Sequence, residues 1–90
     1  EADLFSSELI ADDLNLISVP KIEGKMRVKA KVRYRHTEQP ATVEQLDEKR
    51  IHVIFDEPQR AITKGQAVVL YDGDVVVGGA TICDTVSLER

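Results

Sequence analysis

Lys25-Met26-Arg27-Val28-Lys29-Ala30-Lys31-Val32-Arg33-Tyr34 is the stretch on which the fold turns. Met26, Val28, Ala30, Val32 and Tyr34 alternate with Arg27, Lys29, Lys31 and Arg33. Successive side chains of an extended chain point to opposite faces, so this alternation marks a strand with one buried and one wet face. A helix would need apolar residues recurring at spacings of three and four, a pattern this stretch lacks.

Working outward, His36 to Pro40 is rich in turn formers. Ala41 and Val43 then share one face, with Thr42 and Glu44 on the other. Asp47-Glu48-Lys49 is a second tight turn, after which Ile51, Val53 and Phe55 alternate with Arg50, His52 and Ile54. The three segments predict an antiparallel meander with connections of about three to five residues. Pro58, which lacks an amide donor, should stop the pairing. The turn Thr63-Lys64-Gly65 leads to Ala67-Val68-Val69-Leu70-Tyr71, apolar on both faces as expected of a strand covered on both sides. Asp72-Gly73 signals a type I′ hairpin into Val75-Val76-Val77. Gly78-Gly79 should bend that strand, as at a barrel corner, before Thr81-Ile82-Cys83 completes it. Upstream, Phe5 to Ile10 alternates weakly, Asp12 or Asp13 is placed to cap one helical turn through Ile17, and Pro20 and Gly24 mark a loop.

The expectation is therefore an all-β chain of six or seven short strands, forming a small closed or nearly closed antiparallel barrel. Ninety residues make one domain. A chain this short buries roughly 60–65% of the surface its unfolded form exposes, enough for one core but hardly for a deep enzyme cleft as well. Its apolar residues are mostly Val, Ile, Leu and Ala, with only four Phe and Tyr and no Trp. The single Cys83 rules out an internal disulfide. No apolar run approaches the ~20 residues that span a bilayer, and no charged-then-apolar leader opens the chain. It begins at Glu1 rather than Met, as either a segment cut from a longer protein or a processed chain would.

Catalytic chemistry has little to draw on. A nucleophile needs a base, and the base needs an orienting group. Cys83 is flanked by Asp84, which opposes thiolate formation, and nothing in the sequence brings His36 or His52 to it. One Cys and two His match no zinc spacing. Asp72-Gly73-Asp74 is too short for a calcium loop, and Gly78-Gly79 lacks the spacing and following helix of a phosphate loop. No catalytic or metal-binding residue is expected.

The basic residues are the informative feature. Lys21, Lys25, Arg27, Lys29, Lys31, Arg33 and Arg35 are seven of the twelve Lys and Arg, with only Glu23 opposing them locally. Residues two apart on a strand point the same way, about 6.6–6.8 Å apart, so Lys25 to Arg35 form a row of six cations on one sheet face. A phosphate backbone would satisfy such a row. So would solvent, and the net charge of −4 weighs against a dedicated nucleic-acid binder. Pairing through the His36–Pro40 turn would place Glu44 near Lys31, and pairing through the next turn would place it near His52, whose simplest role is an exposed partner of Glu44. Glu57-Pro58-Gln59-Arg60 is either a rigid polar turn or a partner contact through Arg60.

Two segments carry a family resemblance. Ala30-Lys31-Val32-Arg33-Tyr34-Arg35 resembles the K-x-R-Y-R strand of the C-terminal domain of bacterial tRNA-specific 2-thiouridylases, the MnmA family. Phe55-Asp56-Glu57-Pro58-Gln59-Arg60-Ala61-Ile62, followed by Gly65-Gln66 and Tyr71-Asp72-Gly73, resembles that family's terminal signature. Phe5-Ser6-Ser7 through Asn15 resembles the junction between its central and C-terminal domains. On that likeness residues 1–20 hold the junction and a first strand, and 21–90 the C-terminal barrel. Lys64 stands where the family often has Pro, and Ala80 where a third Gly is common; both are turn or bend positions. The resemblance implies a cytoplasmic parent enzyme that activates the anticodon uridine at position 34 with ATP and replaces its 2-oxygen with persulfide sulfur. The ATP loop and both catalytic cysteines would lie in preceding domains, and Cys83 matches neither cysteine. The family's C-terminal domain is a barrel like those of translation factors and helps hold tRNA.

Two functions follow. In the first the domain positions tRNA through Lys25, Arg27, Lys29, Lys31, Arg33, Arg35 and Arg60, binding phosphates without reading bases; membrane and DNA are not expected partners. In the second it is a structural module that packs on the catalytic domain or on a sulfur-donor protein, and the row is merely solvated. A free-standing enzyme is the least supported reading.

Overall fold

The apolar–basic alternation after Lys25 becomes a strand of a closed six-stranded barrel in a computed structural model, which describes residues 5–32, 37–60 and 62–87. The strands are β1 (Phe5–Leu16), β2 (Lys25–Lys31), β3 (Gln39–Gln45), β4 (Ile51–Arg60), β5 (Ala67–Asp72) and β6 (Val75–Ser87). Around the barrel they run β1-β4-β3-β2-β5-β6, and every neighbouring pair is antiparallel. The meander β2-β3-β4 expected from the sequence is present, and β1 returns beside β4, which gives a Greek key. Closure leaves no sheet edge open. Among the described residues there is no helix, and none long and apolar enough to cross a membrane.

A six-stranded barrel has a narrow interior that side chains must fill. Here large and small residues alternate around it. Leu9, Ile51, Val53, Leu70 and Ile82 are completely or almost completely buried, with Ala11, Ala30 and Ala41 between them. Ile22, from the loop joining β1 to β2, closes one end. Its amide donates to Gln45 Oε1 at 2.8 Å, which ties that loop to the end of β3.

Several expectations give way. The helical turn expected after Asp12-Asp13 is instead a bulge inside β1. Leu9 and Ala11 are buried, and so is Leu14, with Leu16 half-buried. Odd-numbered and even-numbered residues can share the inner face only if one residue is inserted between them. Asp13, at φ 56°, is in the left-handed region where the register with β6 shifts; Asp tolerates that region better than most residues. The β2–β3 register pairs Lys25 with Glu44, and Lys31 faces Val69 of β5, so Glu44 does not oppose Lys31. The last β2–β3 pair is Ala30 with Gln39, so their connection is longer than three to five residues.

β4 continues past Pro58 to Arg60, so 57–60 is the end of a strand and not a loop. The ladder nevertheless lapses around the proline: pairing with β3 ends at Phe55, and pairing with β1 skips from Ile54 to Gln59. β5 is covered on one face only. Val68 and Leu70 are buried while Val69 and Tyr71 are half-exposed, because a closed barrel has a single interior. The β5–β6 loop is Gly73-Asp74, flanked by the pair Asp72–Val75. Gly73 alone has positive φ, 63°, the pattern of a type II′ turn and not of type I′. Gly78 and Gly79 lie where β6 meets both β1 and β5, and the register with β5 shifts just before them.

Candidate nucleic-acid interface

Alternation along β2 sends Val28 and Ala30 inward and sends Lys25, Arg27 and Lys29 into solvent, with Lys31 half-buried at the strand's end. Arg33 and Arg35 lie outside the described residues, as does His36. The outward row is therefore present from Lys25 to Lys31. β4 runs parallel to β2, so Arg60 stands at the same barrel end as Lys31. It lines a small recess there with Ala30 and Val32.

The cations of the row are not equivalent. Arg27 reaches across β3, where Nη1 donates to Thr42 Oγ1 at 2.9 Å. It then grips Asp56 of β4 through two parallel bonds, Nη1 to Oδ1 and Nη2 to Oδ2, both 2.7 Å. That fork-on-carboxylate geometry is the strong form of the ion pair. The hydrogen bond to Asp56 raises the Arg27 pKa and holds the Asp56 carboxyl below its usual range. Lys25 stands opposite Glu44 in the register. Among the described residues, no acid lies within ion-pairing distance of Lys29 or Lys31.

The neighbours of the row divide by character. On the β3-β4-β1 side are Glu44, Asp56 and Glu8. Glu8 Oε1 is 2.9 Å from His52 Nε2, so the half-buried histidine pairs with Glu8 and not with Glu44, although Glu44 is its cross-strand neighbour. β1 supplies this partner because it lies beside β4, a consequence of the Greek key that the local sequence does not reveal. On the other side is β5, whose outward residues are apolar or aromatic: Tyr71 opposite Lys29 and Val69 opposite Lys31. Anionic phosphate is repelled from the first side and tolerated on the second.

The outward pair Val69 and Tyr71 is not among the binding residues expected from the sequence. Its signal there is the run Ala67–Tyr71, too apolar for a strand with one wet face. An open hollow of about 900 Å³ lies elsewhere, lined by Asp12, Asp13, Asp47 and Glu48 with Lys49 and Arg50. Four carboxylates against two cations leave it net acidic, the wrong sign for RNA. Asp47 is an anchor of the β3–β4 turn. It accepts from the Lys49 and Arg50 amides at 2.9 Å and from Arg50 Nε at 2.8 Å, which hold its pKa low. Cys83 is half-exposed on β6; burial, then Asp12 and Asp84, push its thiol pKa up. No group of three or more His, Cys, Asp or Glu among the described residues is arranged to hold a metal.

Residues 6–82 match the family model described as the aminomethyltransferase β-barrel domain. The chain is 56% identical over 80 residues to the tRNA-specific 2-thiouridylase MnmA of Clostridioides difficile, covering 89% of this chain and 22% of that protein. It is 54% identical over 82 residues to MnmA of Acetivibrio thermocellus, covering 91% and 23%. Against MnmA 1 of a Thermoanaerobacter species it is 55% identical over 80 residues, covering 89% and 22%. The chain thus spans a little over a fifth of the length of these relatives.

Proposed function

This chain belongs to the aminomethyltransferase β-barrel domain family, as the C-terminal barrel found in the MnmA group, and we propose that it positions tRNA for a sulfur-transfer enzyme. The observation that carries the proposal is the outward edge of β2, where Lys29 and Lys31 have no acid within ion-pairing distance among the described residues and border the acid-poor face of β5. Lys25 and Arg60 extend this track, and Arg33 and Arg35 follow Lys31 in the sequence. Arg27 joins it only by leaving Asp56. Contacts of this kind attract and orient a phosphate backbone without reading its sequence.

The parent protein makes 2-thiouridine at anticodon position 34, in the cytoplasm, using ATP and a persulfide sulfur donor. By the family resemblance, those steps belong to other parts of that protein. Residues 1–20 hold the junction to a preceding central domain as well as β1. The barrel contributes binding and orientation, which convert an encounter into a fixed geometry.

Charge reversal at Lys29 and Lys31 in the full-length protein tests the proposal. tRNA affinity should fall, and the slope of log affinity against log salt should flatten by roughly 0.7–0.9 for each phosphate that is no longer neutralised. Unchanged affinity and slope would favour the structural module, in which the barrel only packs against a protein partner.

A further inference from the structure

We propose that Tyr71 is a stacking platform for an unpaired nucleobase of the bound RNA, with Lys29 and Lys31 holding the phosphates beside it. The inference rests on the tRNA-positioning reading and adds a contact to a base, where that reading has contacts to phosphates only. Tyr71 is the direct cross-strand partner of Lys29, so the two side chains leave the same face with their Cα atoms about 4.5–5.5 Å apart. The ring is half-exposed although its neighbour Leu70 is completely buried. Among the described residues nothing hydrogen-bonds its hydroxyl, so no hydrogen bond accounts for a large aromatic on an outer barrel face. Pro40 is the other cross-strand neighbour of Lys29 and is exposed. Tyr71, Lys29 and Pro40 line a shallow depression of about 200 Å³ together with Arg27 and Asp72.

A single nucleotide needs an apolar plane for its base and a cation for its phosphate, and these groups lie side by side here. Base-on-aromatic stacking tolerates any base, because each has a π face. Direction follows from charge. Asp72 bounds the depression at the hairpin end and Asp74 lies just beyond it, so on that side the backbone keeps to β2 and away from the β5–β6 turn. It leaves along Lys29 toward Lys31, over Val69.

The test uses the full-length protein and a transcript of a tRNA carrying uridine at position 34. Tyr71→Ala should weaken binding by about five- to 150-fold, the range for removal of one stacked base. The slope of log affinity against log salt should stay constant, since every phosphate remains neutralised. Tyr71→Phe, which keeps the ring, should bind within about twofold of the parent, and Tyr71→Leu, which keeps only bulk, should behave like Tyr71→Ala. Thermal melts of all three identify any variant that fails to fold, and Phe against Leu decides the question if Ala unfolds. Equal binding by the Leu and Phe variants overturns stacking. If Lys29→Glu weakens binding while Tyr71→Leu does not, the stacking inference fails and the positioning role stands. If neither changes binding, both fail. Loss of modification activity with intact tRNA binding in Tyr71→Leu would assign the ring to a protein contact and overturn the inference.

Discussion

Two adjacent glycines on β6 differ sharply in what they permit, and substituting each by alanine tests the barrel closure. A Cβ at Gly78 would lie 2.6 Å from the Asn15 carbonyl oxygen and 3.1 Å from the Leu16 Cα, both backbone atoms of the facing β1. Backbone cannot rotate away as a side-chain tip can, so the strands must separate locally. Forcing a methyl into a packed site costs about 1–3 kcal/mol. A Cβ at Gly79 would meet only the Val68 carbonyl oxygen at 3.5 Å, an ordinary contact. There alanine also removes the entropic cost of glycine in a strand, about 0.5–1 kcal/mol. For a domain of this size each kcal/mol moves Tm by roughly 4–8 °C. Gly78→Ala should therefore melt about 8–16 °C lower for a cost near 2 kcal/mol, and Gly79→Ala should melt at or slightly above the parent. Differential scanning calorimetry on the 90-residue chain reads both. If Gly78→Ala is no less stable than Gly79→Ala, β6 does not approach β1 closely enough to demand glycine, and this account of the closure is wrong.

Three further outcomes follow from the ion pairs and the thiol. Asp56→Asn should release Arg27 to the phosphate track, tightening tRNA binding by the full-length protein and steepening its salt slope by roughly 0.7–0.9; no change in either would remove Arg27 from the RNA path. Asp47 and Asp56 both titrate below their ordinary 3.8 in the folded state, so their stabilisation is in place above that value and is lost as pH falls through the folded-state values. Both pairs are solvent-exposed, which keeps the effect small. A double Asn variant should nonetheless be less stable than the parent at pH 6 and converge with it near pH 2 in urea melts, and a constant gap would mean that charge is not what these residues contribute. Cys83, with its thiol pKa raised by burial and two nearby carboxylates, should be alkylated by iodoacetamide more slowly than glutathione at pH 7.5 and catch up only at higher pH; parity at pH 7.5 would contradict the raised value.

Local periodicity was enough for much of this molecule. The alternation from Met26, the turn residues after it and the hairpin glycine determined an all-β chain, the meander β2-β3-β4 and the outward direction of Lys25, Arg27 and Lys29, because side-chain alternation in a strand is a property of the backbone alone. The bulge at Asp13 reads in the sequence as a helical turn, because two consecutive aspartates imitate a helix cap. What pairs with what across the barrel depends on topology, which no local window contains. Only closure brought β1 beside β4 and gave His52 the Glu8 carboxylate. Only the β2–β3 register moved Glu44 away from Lys31 to Lys25. Only the three-dimensional reach of Arg27 over β3 to Asp56 divided one uniform row of charge into paired and available cations. The row itself was written in the sequence, but Tyr71 came to lie beside it through a strand pairing between residues more than forty positions apart, and such pairings are settled by the packing of one shared core.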